Sequence, residues 1–185
     1  MSRVPEPRAQ QKDEMAAEEL FDVVDADDHV VQQLPRSQVH RARLLHRAVH
    51  VFVFRSDGKM LIHLRSDSKE EFPSVWTSSA SGHVSAGETY DDCAPRELFE
   101  ELGLQAELVP MGKFAAGPDT SHEFTMLYRA HSDAAVCVDP EEISDTRWLE
   151  PAAIAEWIER SPGDFSPAFR QLFSWFLQCA QKSMR

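Results

Sequence analysis

A chain of 185 residues, 42% hydrophobic and 27% charged, suits one globular domain with a short tail. Its formal charge of −12 excludes a general nucleic-acid groove, which needs clustered Lys and Arg, yet permits a small phosphorylated substrate held through a metal ion. No apolar stretch approaches the roughly 18 residues that span a bilayer, the N-terminus lacks the apolar core of a secretory signal, and three scattered cysteines suit a reducing cytoplasm.

In chain order, residues 1–18 mix Pro, Gln, Arg and Glu without periodicity and are predicted to be a disordered tail, leaving 19–182 as a single domain. Leu20 to Val24 and Val30 to Leu34 read as short strands around the turn-forming Asp25 to Asp28. Arg36 to Arg47 (RSQVHRARLLHR) carries four arginines, two histidines and no acid; it is either a solvated basic surface or a phosphate-side wall. His46 to Phe54 (HRAVHVFVF) is a buried strand, and Ser56-Asp57-Gly58 turns it into Met60 to Leu64. A helix is expected over Tyr90 to Leu102, strands over Phe124 to Ala130 and Asp145 to Leu149, and helices over Pro151 to Glu159 and Pro167 to Gln181. Phe72, Trp76 and the aromatics of the last helix are assigned to the core. Alternating strands and helices without a repeat predict one α/β domain around a mixed sheet.

The chemistry concentrates between Gly82 and Leu104. Thr89 is placed to cap the helix with Asp92 as its partner, and Gly103 to end it in a left-handed conformation. At about 100° per residue, Glu97, Glu100 and Glu101 share one arc, with Leu98, Phe99 and Leu102 on the far side. Three converging carboxylates need a positive partner; Arg96 is one and a divalent cation another, and oxygen-only ligands favour Mg²⁺ or Mn²⁺. Pro95 opposes this pattern, since inside a helix it costs ~3 kcal/mol; a kink, or a helix starting nearer Asp92, is the expected outcome.

The run Gly82, Glu88, Arg96-Glu97-Leu98, Glu100-Glu101-Leu102-Gly103 resembles the signature box of the Nudix hydrolases, a far more specific match than a lone glycine-rich loop. The resemblance implies an α/β/α sandwich around a mixed sheet and metal-dependent hydrolysis of a diphosphate linkage in a nucleoside diphosphate derivative or related small organic diphosphate. It implies metal ligands at Glu97, Glu100, Glu101 and the Ser81 carbonyl, with Gly82, Glu88 and Arg96 supporting the site. It leaves the general base open among Glu97, Glu101 and Glu123, with Glu141 and Glu142 assigned rather to the surface, and it suggests a homodimer.

The flanks HRAVHVFVF and FPSVWTSSASGH are similar to the Nudix branch related to isopentenyl diphosphate isomerase. That isomerase's histidine and glutamate metal site maps onto His40, His46, His83 and Glu123; the three histidines are otherwise candidates for substrate binding. Its catalytic cysteine maps onto Ser81, whose hydroxyl is a poor substitute for a thiol in proton transfer. Isomerase chemistry is therefore the alternative to hydrolysis, and a catalytically silent binding module a third reading.

Overall fold

The computed structural model describes residues 18–183, so the predicted tail up to residue 17 lies outside the described residues. The chain opens with a hairpin of β1 (Leu20–Val24) and β2 (Val30–Pro35), followed by a short helix α1 (Arg36–Ala42). The main sheet contains β3 (His46–Phe54), β4 (Met60–Arg65), β5 (Trp76–Thr77), β6 (Ala80–His83), β7 (Val109–Phe114), β8 (Glu123–His131) and β9 (Ile143–Leu149). Helix α2 spans Tyr90–Leu102, α3 Pro151–Arg160 and α4 Pro167–Ser183.

Strand order is β5-β4-β3-β8-β7, with β6 paired to β3 and β9 to β4. The β3–β8 pair is parallel and all other pairs are antiparallel, so the sheet is mixed. β3 meets β4 only at Phe54↔Met60, and β6 takes over its edge from Val51↔Ala80 to Ala48↔His83. The strands β3 and β4 therefore diverge toward the start of β3, and this opening becomes the cleft described below.

Period-two alternation divides β3 between two cores. Val49, Val51 and Val53 pack with Cys93, Ala94, Leu98 and Leu102 of α2. Phe52 and Phe54 pack on the opposite side with Ile154 of α3 and Phe169, Leu172 and Phe173 of α4. Helices thus cover both faces of a mixed sheet, giving the expected α/β/α sandwich. Trp76 belongs to the second core, as expected.

Several expectations need correction. The basic stretch contains α1, whose seven residues have no side-chain cap and were not legible as a helix. β7 was also missed, because Pro110 and Gly112 interrupt its strand pattern; the register shifts between these two residues, and the strand sits at the sheet edge, where both are tolerated. Phe99 is 53% exposed rather than buried. The buried stripe of α2 runs through Cys93, Ala94, Leu98, Glu101 and Leu102, which rotates Phe99 out to solvent. Pro95 does not delay the helix: α2 begins at Tyr90, with the exposed Pro95 inside it. Phe72 is 42% exposed, not core.

The hairpin is fastened to the sheet through Asp28. Its carboxylate accepts from Arg47 Nε at 2.6 Å and the Tyr90 hydroxyl at 3.0 Å, and pairs with Lys113. One side chain thereby joins the β1–β2 turn to β3, β7 and the start of α2.

Candidate active site and metal centre

Helix α2 is built as its sequence suggests at both ends. The Thr89 side chain accepts from the Asp92 backbone N–H, and Gly103 closes the helix at φ 65°. Between them, Glu97 and Glu101 are turned toward the sheet, their side chains 13% and 6% exposed, whereas Glu100 is 56% exposed. Gly82 makes room for this arrangement. A Cβ there would stand 2.0 Å from Glu97 Cδ and 2.2 and 2.3 Å from its oxygens, so any larger residue would displace the carboxylate.

Arg96 gathers the remaining charges. Its Nε and Nη2 donate to the two oxygens of Glu88, both at 2.8 Å, and its Nη1 donates to Glu97 at 2.7 Å and Glu100 at 3.0 Å. Glu88 also accepts the Ser85 N–H at 3.0 Å, which ties the loop before α2 to the helix. Burial works against the charged form of Glu88, but the Arg96 bonds outweigh it and hold this carboxyl low. For Glu97 burial wins over Arg96, pushing it up to about 7. Glu101 is raised well above the usual range by burial and then by Glu97; it accepts the Ser81 N–H at 3.1 Å, and Lys69 also favours its charge, but neither offsets its burial.

A second cluster lies beside this site and reaches it through His83 and Glu123. β3 supplies His46, β6 His83, β8 Glu123 and α1 His40. The register His46↔Glu123 and Ala48↔His83 brings three of these side chains to one end of neighbouring strands. Glu123 Oε1 lies 3.0 Å from His83 Nε2 and 3.6 Å from His46 Nε2. Burial opposes the Glu123 charge, but the two imidazoles hold the carboxyl far below its usual range. Phe21 of β1, fully buried, stacks on His83 at 4.7 Å and on His46 at 5.7 Å and meets His40 at a tilt.

The hydrogen-bond pattern of this cluster suits a cation. His46 Nδ1 lies 2.9 Å from the Leu44 carbonyl, which can only accept, and His40 Nδ1 lies 3.1 Å from the Glu71 carboxylate. A neutral ring at either position would donate from Nδ1 and turn an Nε2 lone pair toward the cluster. Both Nε2 atoms are buried without a hydrogen-bond partner. One ligand atom from each of His40, His46 and His83 falls within 4.8 Å of the others. Buried acceptors of this kind are costly unless something fills them, and these residues could hold a divalent cation there.

His40 lines a pocket that it shares with Glu71, while the α2 carboxylates and, from the second cluster, His83 and Glu123 line a neighbouring cavity of about 390 Å³. Its walls carry Arg36, Arg65 and Lys69, and Phe72 stands at its rim with a left-handed φ of 49°. Arg65 donates to the Glu71 and Phe72 carbonyls, and Lys69 pairs with Glu142. Glu142 therefore belongs to the cleft, which corrects its assignment to the surface; Glu141 is exposed as expected. Of the basic stretch, Arg36 reaches the cavity while Arg47 is spent on Asp28. Arg65, Lys69 and Glu71 were missed by sequence reasoning; the signal available was a polar loop punctuated by Phe72-Pro73 directly after a strand. The cavity also reaches His50, which burial lowers to about 4 and which shares a 2.6 Å hydrogen bond with Ser78.

The sequence profile described as "NUDIX domain" matches residues 44–176. The chain belongs to this family. Among Nudix relatives, it is 34% identical to isopentenyl-diphosphate Delta-isomerase of Serratia proteamaculans over 157 residues, covering 82% of this chain and 88% of that one. It is 31% identical to a Nudix hydrolase of Deinococcus radiodurans over 163 residues, covering 85% and 95%. A Deinococcus radiodurans crystal structure superposes with a TM-score of 0.69 at 32% identity, covering 77% of this chain and 90% of that one. Both names expected from the flanking motifs therefore occur among its relatives. The profile match begins after β1, β2 and α1, so Phe21 and His40 join the histidine cluster from ahead of the matched residues.

Proposed function

We propose that this protein is a metal-dependent hydrolase that cleaves the diphosphate linkage of a nucleoside diphosphate derivative or a related small organic diphosphate. The observation that carries the reading is the Glu97–Glu101 pair, two buried carboxyls in a cavity that Arg36, Arg65 and Lys69 also line. A carboxylate pair raised by burial is costly to ionise alone and becomes favourable around a divalent cation.

In this reading Glu97, Glu100, Glu101 and the Ser81 carbonyl hold Mg²⁺ or Mn²⁺. When bound, the cation neutralises phosphate charge and lowers the pKa of the attacking water. Arg65, Lys69 and Arg36 pair with phosphate oxygens that the carboxylates would otherwise repel. Arg96 keeps Glu97 and Glu100 in place, and Glu88 keeps Arg96 in place. Of the candidate bases, Glu123 is the weakest, because His46 and His83 stabilise its ionised form and a carboxyl held so low accepts a proton poorly. The role of base falls to Glu97 or Glu101, with Glu123 completing the histidine cluster as a ligand.

Isomerisation of isopentenyl diphosphate is the second reading. It is favoured by the orphaned Nε2 atoms of His40 and His46 beside His83 and Glu123, the set that resembles the isomerase metal site. Ser81 stands against it.

The test is incubation of the purified protein with a panel of nucleoside-diphosphate-linked compounds and isopentenyl diphosphate, with Mg²⁺ or Mn²⁺, read by mass spectrometry. The expected result is a product pair split at the diphosphate, lost in Glu100→Gln and Glu101→Gln. Turnover without metal, or interconversion of isopentenyl and dimethylallyl diphosphate without hydrolysis, would overturn it.

A further inference from the structure

Glu71 lies in the loop joining β4 to β5, the loop that also brings Lys69 and Phe72 to the cleft. Its backbone carbonyl accepts from Arg65 Nη2 at 2.9 Å, which fixes where the side chain starts. The carboxylate then reaches across to α1 and accepts from His40 Nδ1 at 3.1 Å. The His40 side chain is only 14% exposed, and its other nitrogen is a buried atom with no hydrogen-bond partner that faces His46 and His83.

An imidazole can present Nε2 as a lone pair only when the proton sits on Nδ1. A carboxylate behind Nδ1 enforces that tautomer, sets the ring plane and makes the free nitrogen a stronger donor to a cation. His46 obtains the same service from the Leu44 carbonyl, a rigid backbone group. His40 has no such backbone partner; it sits on a seven-residue helix and depends on a side chain from a loop across the cleft.

The geometry points to Glu71 as the positioning residue of the histidine centre, holding His40 with Nε2 aimed at a divalent cation shared with His46, His83 and Glu123. This rests on the reading of that cluster as a metal centre. It adds that metal capacity there is tied to the conformation of the 66–75 loop. A substrate that moves Lys69 or Phe72 would therefore be felt by the cation through Glu71 and His40.

The experiment is a Zn²⁺ titration of the full chain and its Glu71 variants, followed through the imidazole ¹⁵N resonances of His40 and His46. These report the histidine centre separately from the carboxylates of α2, and imidazole suits Zn²⁺ well. In the metal-free wild type, His40 should show the Nδ1–H tautomer, and Glu71→Ala should shift it toward a mixture. Glu71→Ala should weaken Zn²⁺ binding at His40 by about 10- to 100-fold. Glu71→Gln, which keeps an acceptor, should restore binding to within a few-fold of wild type. Unchanged tautomer and affinity in Glu71→Ala would overturn the proposal alone. So would a loss in Glu71→Gln as deep as in Glu71→Ala, since an acceptor behind Nδ1 would then not be what positions His40. A wild type that binds no Zn²⁺ through these histidines would overturn the metal-centre reading and this proposal with it.

Discussion

Arg96 donates to the backbone carbonyl of His83 at 3.2 Å, so the cation that organises the α2 carboxylates is bonded to the residue whose ring contacts Glu123. The two clusters are thus linked through β6. Replacing Arg96 with Ala strips the partner from Glu88, Glu97 and Glu100 together. We expect a destabilisation of about 3 kcal/mol in denaturant unfolding without metal, and partial recovery with millimolar Mg²⁺. Arg96→Lys should recover little, since an ammonium cannot reproduce the two parallel bonds to Glu88.

Gly82→Ala tests the close approach at β6. The added carbon collides with the Glu97 carboxyl, which must rotate away from its place beside Glu101. Overpacking of this kind costs about 1–3 kcal/mol. Turnover should fall further than stability does, because the displaced group belongs to the reacting cleft. Equal turnover in wild type and Gly82→Ala would remove Glu97 from the chemistry.

Metal should stabilise the protein in a pH-dependent way. Without a cation, burial raises Glu97 from its usual value to about 7 and moves Glu101 in the same direction. The folded state therefore holds protons that the unfolded state has released, and stability from this source falls as pH rises from about 4.5 through 7. For Glu97 alone the loss is on the order of 3 kcal/mol. A bound cation takes the place of those protons, so the rise in Tm caused by Mg²⁺ should be small at pH 5 and largest above pH 7. A rise independent of pH between 5 and 8, followed by scanning fluorimetry, would contradict it.

Asp28→Ala should loosen the N-terminal hairpin. It leaves Arg47, whose side chain is 17% exposed, without its carboxylate partner and frees the Tyr90 hydroxyl, at a cost of about 3 kcal/mol. Hydrogen exchange should quicken in β1, β2 and α1 before it does in β3 or β8. Asp28→Asn keeps the shape and tolerates the left-handed φ of 63°, so it should lose less.

What could be read in the sequence divides along physical lines. β3 and α2 were legible to the residue, because a nine-residue apolar run and a capped amphipathic segment each state their own limits locally. β7 was not, since Pro110 and Gly112 are tolerated only because an edge strand has one side free. The α2 carboxylates could be named from spacing, but not their unequal burial, which depends on how the helix is rolled against β3 and β6; Phe99 was misassigned for the same reason. The histidines could be named singly. Their convergence depends on strand register and on Phe21, whose distance along the chain gives no local sign. Arg65, Lys69 and Glu71 lay in a loop whose path is set by backbone bonds from Arg65, and no periodic pattern records such a path.

The arm formed by β1, β2 and α1 contributes Phe21 and His40 from ahead of the stretch that matches the NUDIX profile. The histidine cluster is therefore built across the boundary of the matched residues, with His46, His83 and Glu123 inside it and His40 ahead of it. A chain cut at residue 43 would keep the carboxylate helix but lose one imidazole and the ring that stacks on two others.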